Sequence, residues 1–177
     1  MRLLLTNFFL TFILVSSFGQ KTDGYDVVIY GGTSAGIASA IQSSRMGKSV
    51  VLIEPGKRLG GLTTGGLGQT DIGNKHVVGG ISREFYQNIS KYYKIPENWK
   101  WQKRSDYIDE GQTRTAKGED AMWTFEPSAA LKVFHQMLSG EKVKIVYGER
   151  LNRETGVIKK EGRIVSIEME NGKRYTG

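Results

Sequence analysis

The chain has 177 residues, enough for one domain, and its 38% hydrophobic content suits a folded globular protein. It has no cysteine, which excludes disulfides, a thiol nucleophile and Cys-ligated zinc or iron–sulfur clusters. Two histidines, His76 and His135, are too few for a His-rich metal centre, and the net charge of +7 comes from basic residues scattered among acids, so a solvated surface is expected rather than a nucleic-acid partner.

Met1 to Gly19 reads as an export signal. Arg2 gives the positive start, and Leu3 to Val15 gives an apolar run interrupted only by Thr6, Asn7 and Thr11. Ser17 and Gly19 are the small residues that a signal peptidase inspects. Residues 1–19 are therefore predicted to be cleaved, with Gln20 opening the mature chain and delivery to the periplasm or beyond. The run is too short for a stable membrane span. No cysteine follows it, so no lipid anchor is expected. Gln20 to Tyr25 reads as a short polar leader.

Asp26 to Glu54 reads as strand, glycine turn, helix, strand and acid. Asp26 to Tyr30 holds three β-branched residues, as a strand buried on both faces requires. Gly31-Gly32-Thr33-Ser34-Ala35-Gly36 breaks that strand. Ile37 to Met46 is predicted as a helix with Gly47 at its carboxyl end. Val50 to Ile53 is a second buried strand that ends at Glu54. This order is that of a dinucleotide-binding turn. Gly31 permits the sharp bend, Gly36 permits close helix packing, and the first helical N–H groups favour a pyrophosphate. Glu54 can accept hydrogen bonds from a ribose. Thr33 stands where that pattern has its second glycine, which bears on how closely the backbone approaches the phosphates. Ile37 after Gly36 excludes a P-loop, which needs lysine there.

Pro55 to Asp71 carries six glycines in seventeen residues. A flavin site needs such a second loop, whereas a nicotinamide site rarely does. On these residues the chain resembles FAD-dependent oxidoreductases of the glutathione-reductase-like superfamily. It looks most like a secreted bacterial family reading G-G-T-x-A-G, L-G-G, G-L-G-x-T-D and G-G-x-x-R-E-F-Y. Here those are Gly31 to Gly36, Leu59 to Gly61, Gly66 to Asp71, and Gly79 to Tyr86. The resemblance continues through Trp123 to Pro127. It implies FAD as cofactor, with Gly31, Gly32, Thr33, Ser34, Ala35 and Gly36 around the pyrophosphate and Glu54 on the adenosine ribose. It further implies Arg58, Gly60, Gly61 and Thr63 along the pyrophosphate and ribityl path, with Gly66 and Gly68 beyond. Asp71 and Arg83 are candidates for substrate or flavin contact, and no residue is identified as a catalytic base.

A helix is expected after Gly79-Gly80, with Ile81, Phe85, Ile89 and Tyr92 on its apolar face. Lys94 to Gly118 is a long irregular stretch whose tryptophans, Trp99 and Trp101, are expected to tuck against the domain. Asp106, Asp109 and Glu110 lack calcium-loop spacing. Met122 to Phe125 reads as a short strand. Glu126-Pro127-Ser128 starts a helix with Leu131, Phe134 and Leu138 inward, and Gly140 ends it. His135 is expected outside any site. Val143 to Tyr147 should join the parallel sheet beside Val50 to Ile53, with Arg150 and Leu151 near the adenine. Val157 to Lys160, Arg163 to Glu170 and Lys173 to Thr176 should form hairpins through Glu161-Gly162 and Asn171-Gly172.

The fold class is therefore α/β: a Rossmann-like FAD-binding domain over residues 20–177, with a parallel sheet, helices on its faces and a C-terminal antiparallel β-meander. By the family pattern a further parallel strand and a substrate domain would follow, so the chain is expected to be the amino-terminal, cofactor-binding part of a flavin-dependent oxidoreductase. It would act on a small molecule together with the remainder of a full-length chain. Two alternatives are an NAD(P)-dependent dehydrogenase using the same turn, and a non-redox protein of polysaccharide metabolism. The latter would need Tyr, His and Arg in one groove, and no such constellation is discernible.

Overall fold

The structure, a computed structural model, describes residues 22–70, 72–108 and 115–177. The export signal at residues 1–19, and Asp71, Asp109 and Glu110, lie outside the described residues.

Three parallel strands form the first sheet: β2 (Val27–Tyr30), β3 (Val50–Glu54) and β4 (Val143–Tyr147), with β3 in the middle. Val28 pairs with Val51, and Leu52 with Ile145. Because β3 is central, both its faces are buried. Val50 and Leu52 join a core built with α1 (Ser34–Arg45), α3 (Gly80–Tyr93) and α4 (Pro127–Ser139). Val51 and Ile53 face the other way, against Met169 and Tyr175 of the second sheet. The continuous apolar run Val50 to Ile53 thus feeds two cores at once.

The second sheet has the order β1-β7-β6-β5, formed by β1 (Thr22–Gly24), β5 (Val157–Lys160), β6 (Arg163–Glu168) and β7 (Arg174–Thr176). β5, β6 and β7 are the expected meander, with a left-handed turn at Glu161-Gly162. The polar leader expected at Gln20 to Tyr25 is corrected in part: Thr22 to Gly24 is a strand lying parallel to β7. Its polarity hid it, because pairing here comes from backbone groups rather than an apolar face. A register shift at Ile158/Lys159 also disturbs the expected alternation on β6. Ser166 is buried, and it lines a groove with Val28 and Tyr30.

Inside the helices the periodicity is shifted slightly from expectation. α1 begins at Ser34, three residues earlier than Ile37, because Thr33 caps it. On α3, Tyr93 is buried while Tyr92 is only partly so. Its phenol donates nothing to water: Tyr93 Oη accepts the Glu126 N–H at 3.0 Å, and burial pushes the hydroxyl above its usual range. α4 buries Val133 and Met137 together with Phe134 and Leu138, and Leu131 sits at the edge.

Met122 to Phe125 is not a strand. It is an extended segment joined to the loop at residues 68–70 by a single bridge, Gln69 with Thr124. The Phe125 N–H donates to Gly68 O at 2.8 Å. Trp99 tucks in as expected, its Nε1 donating to Tyr93 O at 2.9 Å, whereas Trp101 stands out in solvent.

One ion-paired cluster locks the long irregular stretch. Lys75 Nζ lies 2.6 Å from Glu119 Oε2, and Trp123 Nε1 donates to Glu119 Oε1 at 2.7 Å. The Ala116 N–H donates to the same carboxylate. Burial disfavours the charged form of Glu119. The Lys75, Ala116 and Trp123 hydrogen bonds outweigh it and hold the carboxyl below its usual 4.5. A carboxyl lowered by folding stabilises above its ordinary value and loses that contribution as pH falls through the folded-state value. Glu119→Gln should therefore destabilise by roughly 1–3 kcal/mol near neutrality. The difference from the wild type should shrink in urea titrations below about pH 4.

Candidate functional site

The site forms where β2 and β3 end side by side. The last rung of their ladder is the Gly31 N–H to Ile53 O, at 2.8 Å. Gly31 then turns with φ of 110°, a conformation that a side chain would strain. At the next residue, the Gly32 N–H donates to Glu54 Oε2 at 2.8 Å. A methyl at Gly32 would collide with Leu59 and crowd the same carboxylate. The bend and the acid are thus a single unit, with the Glu54 side chain turned toward Gly32.

Glu54 is held from the other side as well. Its Oε1 accepts the Gly56 N–H at 2.7 Å. The Gly148 N–H, just after β4, donates to Glu54 O and Gly56 O at 2.8 and 2.9 Å. All three parallel strands therefore contribute to fixing one carboxylate. Each carboxylate oxygen accepts a single N–H in these contacts and has capacity for further donors. Tyr147 stands beside it, 41% exposed. Desolvation of its hydroxyl, and then the Glu54 charge, hold the phenol above its usual range.

Thr33 occupies the position of the pattern's second glycine without backbone strain, at φ −70°. Its Oγ1 accepts the Gly36 N–H at 3.2 Å, so it serves as the cap of α1. The first bond within the helix runs from the Ile37 N–H to Thr33 O. The N–H groups of Ser34 and Ala35 have no carbonyl one turn back inside the helix, which is the arrangement that receives an anion. Gly36 is required for packing: a methyl there would strike the Gly31 carbonyl.

The second glycine loop is stitched to the first. The Gly60 N–H donates to Gly32 O at 2.7 Å, and Thr33 and Gly60 form a parallel bridge. Ser34 Oγ donates to Gly60 O at 3.1 Å and lies 2.7 Å from Thr63 Oγ1. Thr63 belongs to the short helix α2 (Leu62–Gly65). Gly60 and Gly61 both have positive φ, 97° and 54°. Arg58 Nη2 donates to Thr64 O, and buried Thr64 donates its hydroxyl to Leu59 O. The structure thus brings together Gly31, Gly32, Thr33, Ser34, Ala35, Gly36, Glu54, Gly60, Gly61 and Thr63, with Arg58 bracing the loop from its outer side.

The other expected residues sit elsewhere. Gly66 ends α2, its N–H returning to Leu62 O. Gly68 is needed because its backbone lies against Phe125 O, where a methyl has no room. Arg83 is engaged by Asp120 through Nη2 and lies 5.4 Å from the centre of the Trp123 ring. His76 and His135 are exposed, and among the described residues no group of three or more His, Asp or Glu side chains is placed to hold a metal. Among them too, no helix is long and apolar enough to cross a membrane. Sequence reasoning missed Gly56, Thr64 and Gly148. The Pro55-Gly56 pair directly after the acid was a usable signal for the first, whereas Gly148 becomes relevant only through the sheet.

A family model described as FAD dependent oxidoreductase matches residues 26–177. Among solved structures, the chain is similar to the 3-ketosteroid-Δ4-(5α)-dehydrogenase of Rhodococcus jostii RHA1, at 17% identity and a TM-score of 0.53, over 92% of this chain and 46% of that one. It is also similar to PqsL of Pseudomonas aeruginosa, at 15% identity and a TM-score of 0.51, over 87% of this chain and 40% of that one. Thioredoxin reductase of T. acidophilum matches at 19% identity and a TM-score of 0.44, over 87% of this chain and 33% of that one. At these identities the likeness is one of fold, and the chain spans less than half the length of each. No curated protein matches the chain.

Two substitutions test the site. Glu54→Gln keeps the shape but turns an amide N–H₂ toward a backbone N–H, so dinucleotide affinity should fall roughly tenfold to a hundredfold by calorimetry, the cost of a charge-assisted pair. Gly36→Ala should lower stability by roughly 1–3 kcal/mol or more in thermal unfolding, through overpacking against Gly31.

Proposed function

The chain belongs to the FAD-dependent oxidoreductase family, and from that premise we propose that it forms the part of the enzyme that grips the ADP half of the cofactor. The cofactor is FAD. When bound, FAD supplies the redox chemistry through its isoalloxazine ring. The observation that carries the reading is the pinned carboxylate of Glu54, whose two oxygens are fixed by Gly32 and Gly56 N–H groups beside the capped start of α1.

The residues fit that cofactor. The glycine cradle at Gly32 and Gly60 has no room for a methyl, so the backbone lies open along the path of the phosphates. Glu54 binds the adenosine ribose through its remaining acceptor capacity. The first turn of α1 orients the pyrophosphate by N–H donation and by its dipole. Arg58 adds a positive charge next to the same loop while bracing Thr64. Tyr147, beside Glu54, borders the adenosine side. The substrate is a small molecule handled with the remainder of a longer chain. The signal-like residues 1–19 support export, with FAD acquired afterwards, because Sec-type export carries chains unfolded.

The test is an absorbance spectrum of the full-length exported protein, before and after acid precipitation. Flavin bands are expected in the native protein, and their complete absence after reconstitution with FAD would overturn the reading. Residues 20–177 alone should retain less flavin than the full chain under the same gel filtration.

A further inference from the structure

Ser34 Oγ lies between two partners, Gly60 O at 3.1 Å and Thr63 Oγ1 at 2.7 Å. A carbonyl oxygen only accepts, and a serine hydroxyl has a single proton to give. The proton of Ser34 is therefore committed to Gly60. The contact with Thr63 then has one sense: Thr63 donates, and Ser34 accepts. The hydroxyl proton of Thr63 is committed in turn, and its Oγ1 keeps two lone pairs for the space in front of it. The ladder Thr63 to Ser34 to Gly60 has a direction, fixed by the carbonyl at its end.

That direction matters chemically. An oxygen that only accepts repels a phosphate oxygen and attracts a hydroxyl. The N–H groups at the start of α1 have the opposite preference. The loop pair thus presents two unlike surfaces within one residue of each other, donors at Ser34 and Ala35 N–H and acceptors at Thr63 Oγ1. The same two side chains line a cavity of about 80 Å³ with Ala38, Ile81 and Tyr86, so the pair is not sealed away from the site.

We propose that Thr63 is a ligand of the ribityl hydroxyls rather than of the pyrophosphate, and that Ser34 is the positioning residue that sets the sense of its hydrogen bond. This rests on the FAD reading above and adds a division of labour within it. Ser34 acts through Thr63 and through Gly60, tying the second glycine loop to the first before any cofactor arrives.

The experiment is calorimetric titration of the flavin-depleted full-length protein with two probes, FAD and ADP. ADP carries the adenosine ribose and the linked phosphates but no ribityl chain. Thr63→Val, which keeps the shape and removes the hydroxyl, should weaken FAD about tenfold, the worth of a hydrogen bond of ordinary strength, and leave ADP unchanged. Ser34→Ala should weaken FAD to a similar extent, and the double variant should be no worse than either single one, because the ladder acts as a unit. Equal weakening of FAD and ADP by Thr63→Val would make Thr63 a phosphate ligand and overturn the proposal. So would unchanged binding of both probes, or strictly additive losses in the double variant. Failure of the wild-type protein to bind FAD would instead sink the cofactor reading itself. Amide hydrogen exchange of residues 59–65 without cofactor gives a second readout. It should quicken in Ser34→Ala and stay unchanged in Thr63→Val if Gly60 is the anchored end.

Discussion

The whole site depends on one carboxylate held between two backbone amides. Glu54 receives the Gly32 N–H and the Gly56 N–H, one from the end of β2 and one from its own strand's exit. A charged acceptor of this kind makes hydrogen bonds about twice as strong as neutral pairs. The glycines are a consequence. A side chain at Gly32 would push on Leu59 and on the acid, so the bend can approach only as bare backbone. Gly60 repeats the condition one layer further out, through its bond to Gly32 O.

The parallel sheet is what makes the arrangement stiff. β3 lies between β2 and β4 and buries both its faces, one against the helices and one against Met169 and Tyr175. Glu54 is its last residue, so its backbone has little freedom. Tyr175 adds a polar anchor on the far side, its hydroxyl donating to Glu149 at 2.5 Å. Burial and that carboxylate push its phenol up to about 12. The second sheet therefore backs the first directly behind the strand that carries the acid.

Much of this was legible from residues alone. Strand, turn, helix, strand and acid follow from apolar runs punctuated by glycine, and the hairpins follow from Asn-Gly and Glu-Gly pairs. What sequence could not show was which glycines answer to the cofactor and which to the protein. Gly68 reads as part of the flavin path, yet its bareness is demanded by Phe125 O. Arg83 reads as a site cation, yet Asp120, distant in sequence, holds it. The strand Thr22 to Gly24 was invisible because polar residues paired through backbone leave no hydrophobic rhythm. In each case the deciding partner lies tens of residues away, where periodicity carries no information.

The pairing of β1 with β7 has a consequence for how the domain comes into being. Thr22 finds its partner at Arg174, about as far along the chain as any partner in this domain. Closing so long a loop is entropically costly and slow. A polypeptide threading out of a translocation pore end first would have to wait, its opening strand bare, until the final hairpin emerged.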